Sequence, residues 1–238
     1  MNWLRSLWFN ITFYTANLVM SVLLSPSLFL RRRQIVTAVY MWLGAVAWVE
    51  HYLGGIKYRV IGKENIPQGA CIIASKHQSE WETFKLHLLL HDPAIVLKRE
   101  LLNIPLIGWY MSRSGSIPID RAGRTKTVNA MRDAARQAAD QGRPIVIFPE
   151  GTRADPGASR PYKSGVAALY QELNIPVVPM ALNSGLLWPK NSFLKKRGTI
   201  TVEFLPPIPP GLPREEMMRR LRDELEPAAL RLLDVKGL

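Results

Sequence analysis

Cysteine is almost absent. Cys71 is the only one in 238 residues, so neither a disulfide framework nor a cysteine-based zinc site can be built. Its setting, Ala70-Cys71-Ile72-Ile73-Ala74, is apolar and suits a small buried hydrophobe. A lone thiol fits a reducing compartment. Acidic charge is also scarce: 19 Asp and Glu stand against 31 Lys and Arg, for a formal net charge of +12. Such an excess calls for an anionic partner, either nucleic acid or an anionic membrane surface. Zinc-finger, basic-zipper and RNP motifs are all missing, which argues against nucleic acid. No Gly-x-Ser-x-Gly elbow is present, which argues against a serine hydrolase. No Gly-x-Gly-x-x-Gly opens a helix and no Walker loop occurs, so no nucleotide or dinucleotide cofactor is expected. His77, His87 and Cys71 lack zinc-ligand spacing, so no metal is expected. There is no internal repeat and no low-complexity tract.

What the chain does have begins with an apolar N-terminus. From Leu7 to Leu24 no residue is charged. That length can cross or deeply enter a bilayer, which needs about 20 helical residues. Asn10 and Asn17 lower its apolarity, and Pro26 is placed to end the helix. Arg31-Arg32-Arg33 then forms a cationic stop suited to anionic headgroups. A second apolar stretch, residues 35–56, is interrupted by Glu50 and His51 and carries Tyr40, Trp42, Trp48 and Tyr52, types that favour the interface. The expectation is a membrane-embedded helical hairpin over residues 1–56. A signal peptide fits less well, because the apolar run is long and no small-x-small site precedes the arginines. A pair of buried core helices is the bland alternative.

After Gly54-Gly55 the texture changes. Residues 57–61, 71–74, 94–97, 145–148, 176–182 and 200–205 are short runs of strand character. Helical patterns fall at 83–90, 101–111, 125–141 and 164–173, and at 214–233 with Pro227 inside. Within 125–141, Val128, Met131, Ala135 and Ala138 make one stripe and Gly142 is the stop. This alternation predicts an α/β domain over residues 57–238, a mixed or mostly parallel sheet flanked by helices. Catalytic groups belong on loops at strand ends in such a fold.

One loop holds the chemistry. His77 follows an apolar strand and precedes a helix, within Ser75-Lys76-His77-Gln78-Ser79-Glu80-Trp81-Glu82. A neutral imidazole is a suitable general base for a hydroxyl. Glu82, one turn into the next helix, is placed to fold back and orient the ring; Glu80 is a rival carboxylate. Lys76 either sits near a phosphate or faces water. His51, His87 and His91 have no such context and read as structural. Downstream, Gly151 allows a turn or a close backbone approach, while Thr152 and Arg153 offer donors to an anion. Lys163, just before a helix N-terminus, and Lys98 are further candidates for a phosphate contact.

The order of four blocks resembles the glycerolipid acyltransferases, most closely the 1-acyl-sn-glycerol-3-phosphate acyltransferases. The blocks are His77 to Glu82, Gly115-Ser116-Ile117-Pro118-Ile119-Asp120-Arg121, Phe148-Pro149-Glu150-Gly151-Thr152-Arg153 and Ile175-Pro176-Val177-Val178-Pro179. The resemblance covers residues 55–210. The first block departs from the family's His-x4-Asp by carrying Glu82. The second and third fit in full, and they imply that Arg121 binds phosphate and that Glu150 positions the glycerol part of the acceptor. The fourth is either a wall for the acyl chain or a core strand. The implied reaction moves a fatty acyl group from a thioester, acyl-CoA or acyl carrier protein, to the sn-2 hydroxyl of lysophosphatidic acid. The product would be phosphatidic acid, made without an acyl-enzyme. Membrane lipids are implied partners, with the catalytic domain on the cytoplasmic side of the membrane. The alternatives are another acceptor, a lyso-aminolipid or lysocardiolipin, or a non-catalytic membrane-binding relative.

Overall fold

The computed structural model describes residues 3–120 and 125–234. Seven strands form one sheet: β1 (Ile56–Ile61), β2 (Ile72–Ser75), β3 (Ala94–Lys98), β4 (Ile117–Ile119), β5 (Ile145–Ile147), β6 (Val177–Leu182) and β7 (Gly198–Phe204). Their order is β1-β7-β6-β2-β5-β3-β4. Only the β6–β7 pair is antiparallel; the other pairs are parallel. The sheet is thus mixed and mostly parallel, as expected. β2, β5 and β6 are buried along their whole length, which explains why they read as continuous apolar runs rather than alternating ones. β1 lies at an edge, with Lys57, Tyr58 and Arg59 exposed. Charge on an edge strand discourages pairing with other chains.

Consecutive residues of a strand face opposite sides, and β2 divides its apolar residues accordingly. Ile72 and Ala74 join a cluster with Met131, Leu169 and Leu221. Those residues come from α5 (Thr125–Asp140), α6 (Gly165–Leu173) and α8 (Arg214–Arg231). Met131, Ala135 and Ala138 of the expected stripe are buried; the side chain of Val128 lies outside the described residues. Cys71 and Ile73 join the opposite cluster with Trp81 and Leu86 of α3 (Trp81–Leu89). The expected helix over 101–111 is replaced by a 3-10 turn, Arg99–Asn103, and a separate α4, Ile107–Arg113. Pro105 cannot donate to a helix, and Leu106 takes a left-handed φ of 60°. Gly108 lies so close that a Cβ there would sit 2.1 Å from the Leu102 carbonyl oxygen. By contrast, α8 runs through Pro227 as a single helix.

The N-terminal residues form α1 (Trp3–Leu23) and α2 (Arg32–Val49), joined by a 3-10 turn at Ser25–Phe29. α1 is inverted relative to an ordinary surface helix. Its buried positions are Ser6, Phe9, Asn10, Phe13, Asn17 and Ser21, while Trp3, Trp8, Ile11, Leu18 and Val22 are exposed. The two asparagines that interrupt the apolar run therefore point into the protein. Asn17 accepts from Trp42 Nε1 at 3.1 Å and donates to the Phe13 carbonyl at 2.8 Å. Asn10 donates to the Phe193 carbonyl at 2.9 Å. Among the described residues no helix is long and apolar enough to cross a membrane. Within the arginine run, Arg32 turns inward to Asp92 at 2.6 Å and to the Ser114 carbonyl at 2.9 Å, while Arg31 and Arg33 are exposed.

Both helices share their inner faces with the sheet. Phe9, Phe13, Ile35, Trp42 and Val46 lie in one buried cluster with Ile73, Val178 and Ile200. A buried ion pair reinforces this contact. α2 continues through a π turn, Glu50–Gly54, and Glu50 meets Lys85 of α3 at 2.9 Å and Trp81 Nε1 at 2.5 Å. Burial pushes the Glu50 carboxyl up while Lys85 pulls it back. The Lys85 ammonium also lies 4.8 Å from the Tyr58 ring. Lys85→Met should therefore leave a buried carboxylate unpaired and cost about 3–5 kcal/mol of unfolding free energy. Urea denaturation measures this, and adding Glu50→Gln in the same chain should recover part of the loss.

Candidate active site

The C-terminal ends of β6, β2 and β5 lie side by side, and three loops meet there. The loop after β2 carries His77. Its main chain is held on both sides: Lys76 N donates to the Met180 carbonyl at 3.0 Å, and Ala154 N donates to the His77 carbonyl at 2.8 Å. α3 starts just beyond it. Glu82, in the first turn, bends back so that Oε1 accepts from the Gln78 and Ser79 amides, each at 2.7 Å. These amides precede the helix, where N–H groups lack helical partners and negative charge is favoured. Ser79 Oγ accepts from Trp81 N at 3.1 Å and completes the turn.

The same Glu82 Oε1 lies 2.8 Å from His77 Nδ1. Glu82 Oε2 accepts from Ser184 Oγ at 2.7 Å; Ser184 opens α7, Ser184–Leu187, at the end of β6. Glu82 is 0% exposed and is met by two amides, an imidazole and a hydroxyl. An ionised carboxylate only accepts, so Nδ1 keeps its proton and donates it in a hydrogen bond to Glu82, which leaves Nε2 with a free lone pair. The ring stacks on Phe148, with centroids 4.1 Å apart and planes 21° from parallel. The His77 side chain remains 16% exposed, enough to meet a substrate.

Glu80, the rival carboxylate, faces elsewhere: it accepts from Arg153 Nη1 at 3.0 Å. Arg153 is half-buried, Thr152 is exposed, and Lys163 is exposed beside Gly151, with its amide on the Pro149 carbonyl at 2.7 Å. Gly151 has φ +67°, a conformation few side chains tolerate. Lys98 ends β3 on the surface and pairs with Glu100 at 3.1 Å. Arg121 lies outside the described residues. Glu150 is not at the surface of the cleft: it is 2% exposed and bonds Lys76 Nζ at 2.5 Å. Lys76 is accordingly neither solvated nor open to a phosphate, being 3% exposed. Val177 and Val178 of the fourth block are fully buried in β6, which makes that block a core strand.

Ser184 was not found by reading the sequence. It lies 102 residues from Glu82, and nothing local marks it. Cys71 and the other histidines make none of these contacts. Burial pushes the Cys71 thiol up to about 12 and lowers His87 to about 4. His51 and His91 are exposed.

Fold and site together define an α/β protein with a carboxylate-oriented histidine at the ends of parallel strands, flanked by a loop bearing Arg153. The acyltransferase family model matches residues 57–183, and the chain belongs to that family. It is 39% identical over 168 residues to a 1-acyl-sn-glycerol-3-phosphate acyltransferase of Pseudomonas aeruginosa, covering 71% of this chain and 65% of the relative. A 1-acyl-sn-glycerol-3-phosphate acyltransferase of Saccharomyces cerevisiae is 31% identical over 159 residues, 65% of this chain and 52% of the relative. The chain thus spans less than two thirds of the length of these relatives. The crystal structure of the 1-acyl-sn-glycerophosphate acyltransferase PlsC from Thermotoga maritima superposes with a TM-score of 0.81 at 21% identity, covering 98% of both chains. That likeness establishes the fold.

Proposed function

We propose that the chain transfers a fatty acyl group from a thioester to the sn-2 hydroxyl of 1-acyl-sn-glycerol-3-phosphate, making phosphatidic acid for phospholipid biosynthesis. The observation that carries this reading is the 2.8 Å contact between His77 and a fully buried Glu82, beside a loop bearing Arg153. The names of the relatives support the same acceptor. His77 Nε2 takes the proton of the hydroxyl as its oxygen attacks the thioester carbonyl. The C–S bond breaks, and the departing thiolate takes that proton back. Glu82 orients the ring and offsets the positive charge that develops on it. No acyl-enzyme is needed, since among the described residues no activated nucleophile adjoins His77.

Arg153, Thr152 and Lys163 hold the phosphate, Lys98 is a further contact, and the family pattern assigns Arg121 the same role. Arg153 exchanges Glu80 for phosphate when the acceptor binds. Gly151 lets the backbone approach the acceptor, and Glu150 supports that loop from behind. The donor is acyl-CoA or acyl carrier protein, both thioesters on anionic carriers. Residues 1–56 anchor the protein and residues 57–238 form the acyltransferase domain. The anchor embeds in the membrane through the outward apolar face of α1, Phe29 and Leu30, with Arg31 and Arg33 at the headgroups. Next to this face, Leu7, Ile11, Tyr14 and Phe193 line an apolar groove of about 480 Å³ that suits a lipid tail. The membrane is the cytoplasmic one in a bacterium, with the catalytic face toward the cytoplasm.

The acceptor is tested by incubating the full-length protein with an acyl thioester and a panel of lyso-lipids, with the products identified by mass. Lysophosphatidic acid should be the preferred acceptor, and His77→Ala should lower turnover by about a hundredfold or more. Preference for a lyso-aminolipid or lysocardiolipin, or turnover by His77→Ala within a few-fold, contradicts the proposal. The membrane contact is tested by flotation with vesicles containing anionic lipid. Trp8→Glu with Phe29→Glu should weaken binding at least about tenfold, because each side chain contributes about 1.5–3 kcal/mol on burial. Thermal unfolding should stay unchanged, since both residues are exposed, at 67% and 88%.

A further inference from the structure

Lys76 precedes the base and is used by none of the chemistry above, yet it is almost fully buried. Its ammonium sits between two carboxylates. Glu150 Oε1 is 2.5 Å away, and the two oxygens of Glu226 are 3.0 and 3.2 Å away. Glu226 comes from α8, outside the residues that match the family model. It also accepts from the Tyr162 hydroxyl at 2.6 Å, and Arg222 lies 5.3 Å over the Tyr162 ring. Burial raises the Glu150 carboxyl and Lys76 opposes that, while Glu226 adds to the rise. Glu150 Oε2 is buried without a hydrogen-bond partner among the described residues.

Lys76 and Glu150 alone would make a neutral pair. A second carboxylate, Glu226, whose side chain is 17% exposed, is not needed for neutrality. What it adds is direction. An ammonium has three donors, and a single carboxylate leaves it free to swing; two carboxylates on separate elements fix it. Lys76 leads directly into His77, and Glu150 leads directly into Gly151-Thr152-Arg153. The buried pair therefore ties the loop of the base to the loop of the anion-binding arginine. The hydrogen bond from Ala154 N to the His77 carbonyl, 2.8 Å, crosses the same gap.

We propose that Glu226 is a positioning residue, which clamps Lys76 onto Glu150 and so sets the spacing between the His77 loop and the Arg153 loop. This rests on the acyltransferase reading, in which the base and the phosphate site act on one bound acceptor. A displacement of about 1 Å between such groups can cost about a hundredfold in rate. The C-terminal helix then belongs to the catalytic apparatus rather than to the scaffold alone.

The test compares the unmodified full-length protein with Glu226→Gln, which keeps the shape and an acceptor for Tyr162 but removes the charge. Two readouts are taken: amide hydrogen exchange of peptides covering residues 75–80 and 150–155, and steady-state kinetics with lysophosphatidic acid. Exchange should quicken in both peptides and stay unchanged in α5. The kcat should fall about tenfold, as expected for loosened geometry, with acceptor KM within about twofold and thermal unfolding nearly unchanged. Lys76→Met should be worse, and adding Glu226→Gln to it should raise kcat, because one of two carboxylates left without a cation is removed. Unchanged exchange overturns the proposal. So does a kcat within about twofold of the unmodified protein, or a loss that only follows a lower melting temperature. If the unmodified protein does not acylate lysophosphatidic acid, the acceptor reading fails, and the exchange measurement still decides whether Glu226 ties the two loops.

Discussion

A carboxylate can be buried only where donors meet it, and this requirement organises the site around Glu82. Its four partners come from two places: the loop after β2, which supplies two amides and the histidine, and the hydroxyl that follows β6. The two amides and the ring fix the loop relative to α3. Ser184 fixes α3 relative to the neighbouring strand. If Glu82 moved, the imidazole would lose its orientation and three further donors would lose their acceptor together. The extra methylene relative to an aspartate is taken up by this geometry: the side chain arches back over the start of its own helix to reach all four donors.

A second constraint acts on the face of the sheet that α3 also covers. While α2 buries a mainly aliphatic face, α1 buries polar and aromatic residues toward the protein and turns aliphatic and indole side chains outward. In water such a face is costly, at about 25 cal/mol per Å² of apolar surface. On the proposed membrane reading, a lipid surface removes that cost and places the strand-end loops beside a lipid acceptor. The same helices contribute Phe9, Phe13 and Trp42 to the core and, through Glu50, the ion pair with α3. The N-terminal helices and the sheet that carries His77 are therefore joined mechanically, and α3, which carries Glu82, is the shared element.

Much of this was legible in the sequence. Buried parallel strands are unbroken apolar runs, so β2, β5 and β6 stood out, and the amphipathic stripe of α5 located that helix. The His77 to Glu82 spacing placed both groups at one helix start, which is a local relation. Long-range relations were hidden. Nothing near Ser184 or Glu226 indicates that they meet Glu82 and Lys76, because tertiary folding alone brings them there. Lys76 read as an exposed or phosphate-facing residue since lysines are seldom buried; its two carboxylates lie 74 and 150 residues away. Residues 101–111 looked helical by periodicity, but Pro105 and the close approach at Gly108 outweighed the pattern. The asparagines of α1 looked like flaws in a membrane segment and instead mark its protein-facing side.

The most direct test of the account is the activity of Glu82→Gln against Glu82→Asp, measured with an acyl thioester and lysophosphatidic acid on protein shown to be folded. Gln keeps the shape and can still accept the two amides, with Ser184 turning to accept from the new amide group, so the loop survives while the charge behind the imidazole is lost. Asp keeps the charge with a shorter reach. The account predicts that Gln lowers kcat by about a hundredfold or more, in the range of a lost general base, and that Asp costs far less. A Gln variant with near-normal kcat contradicts it.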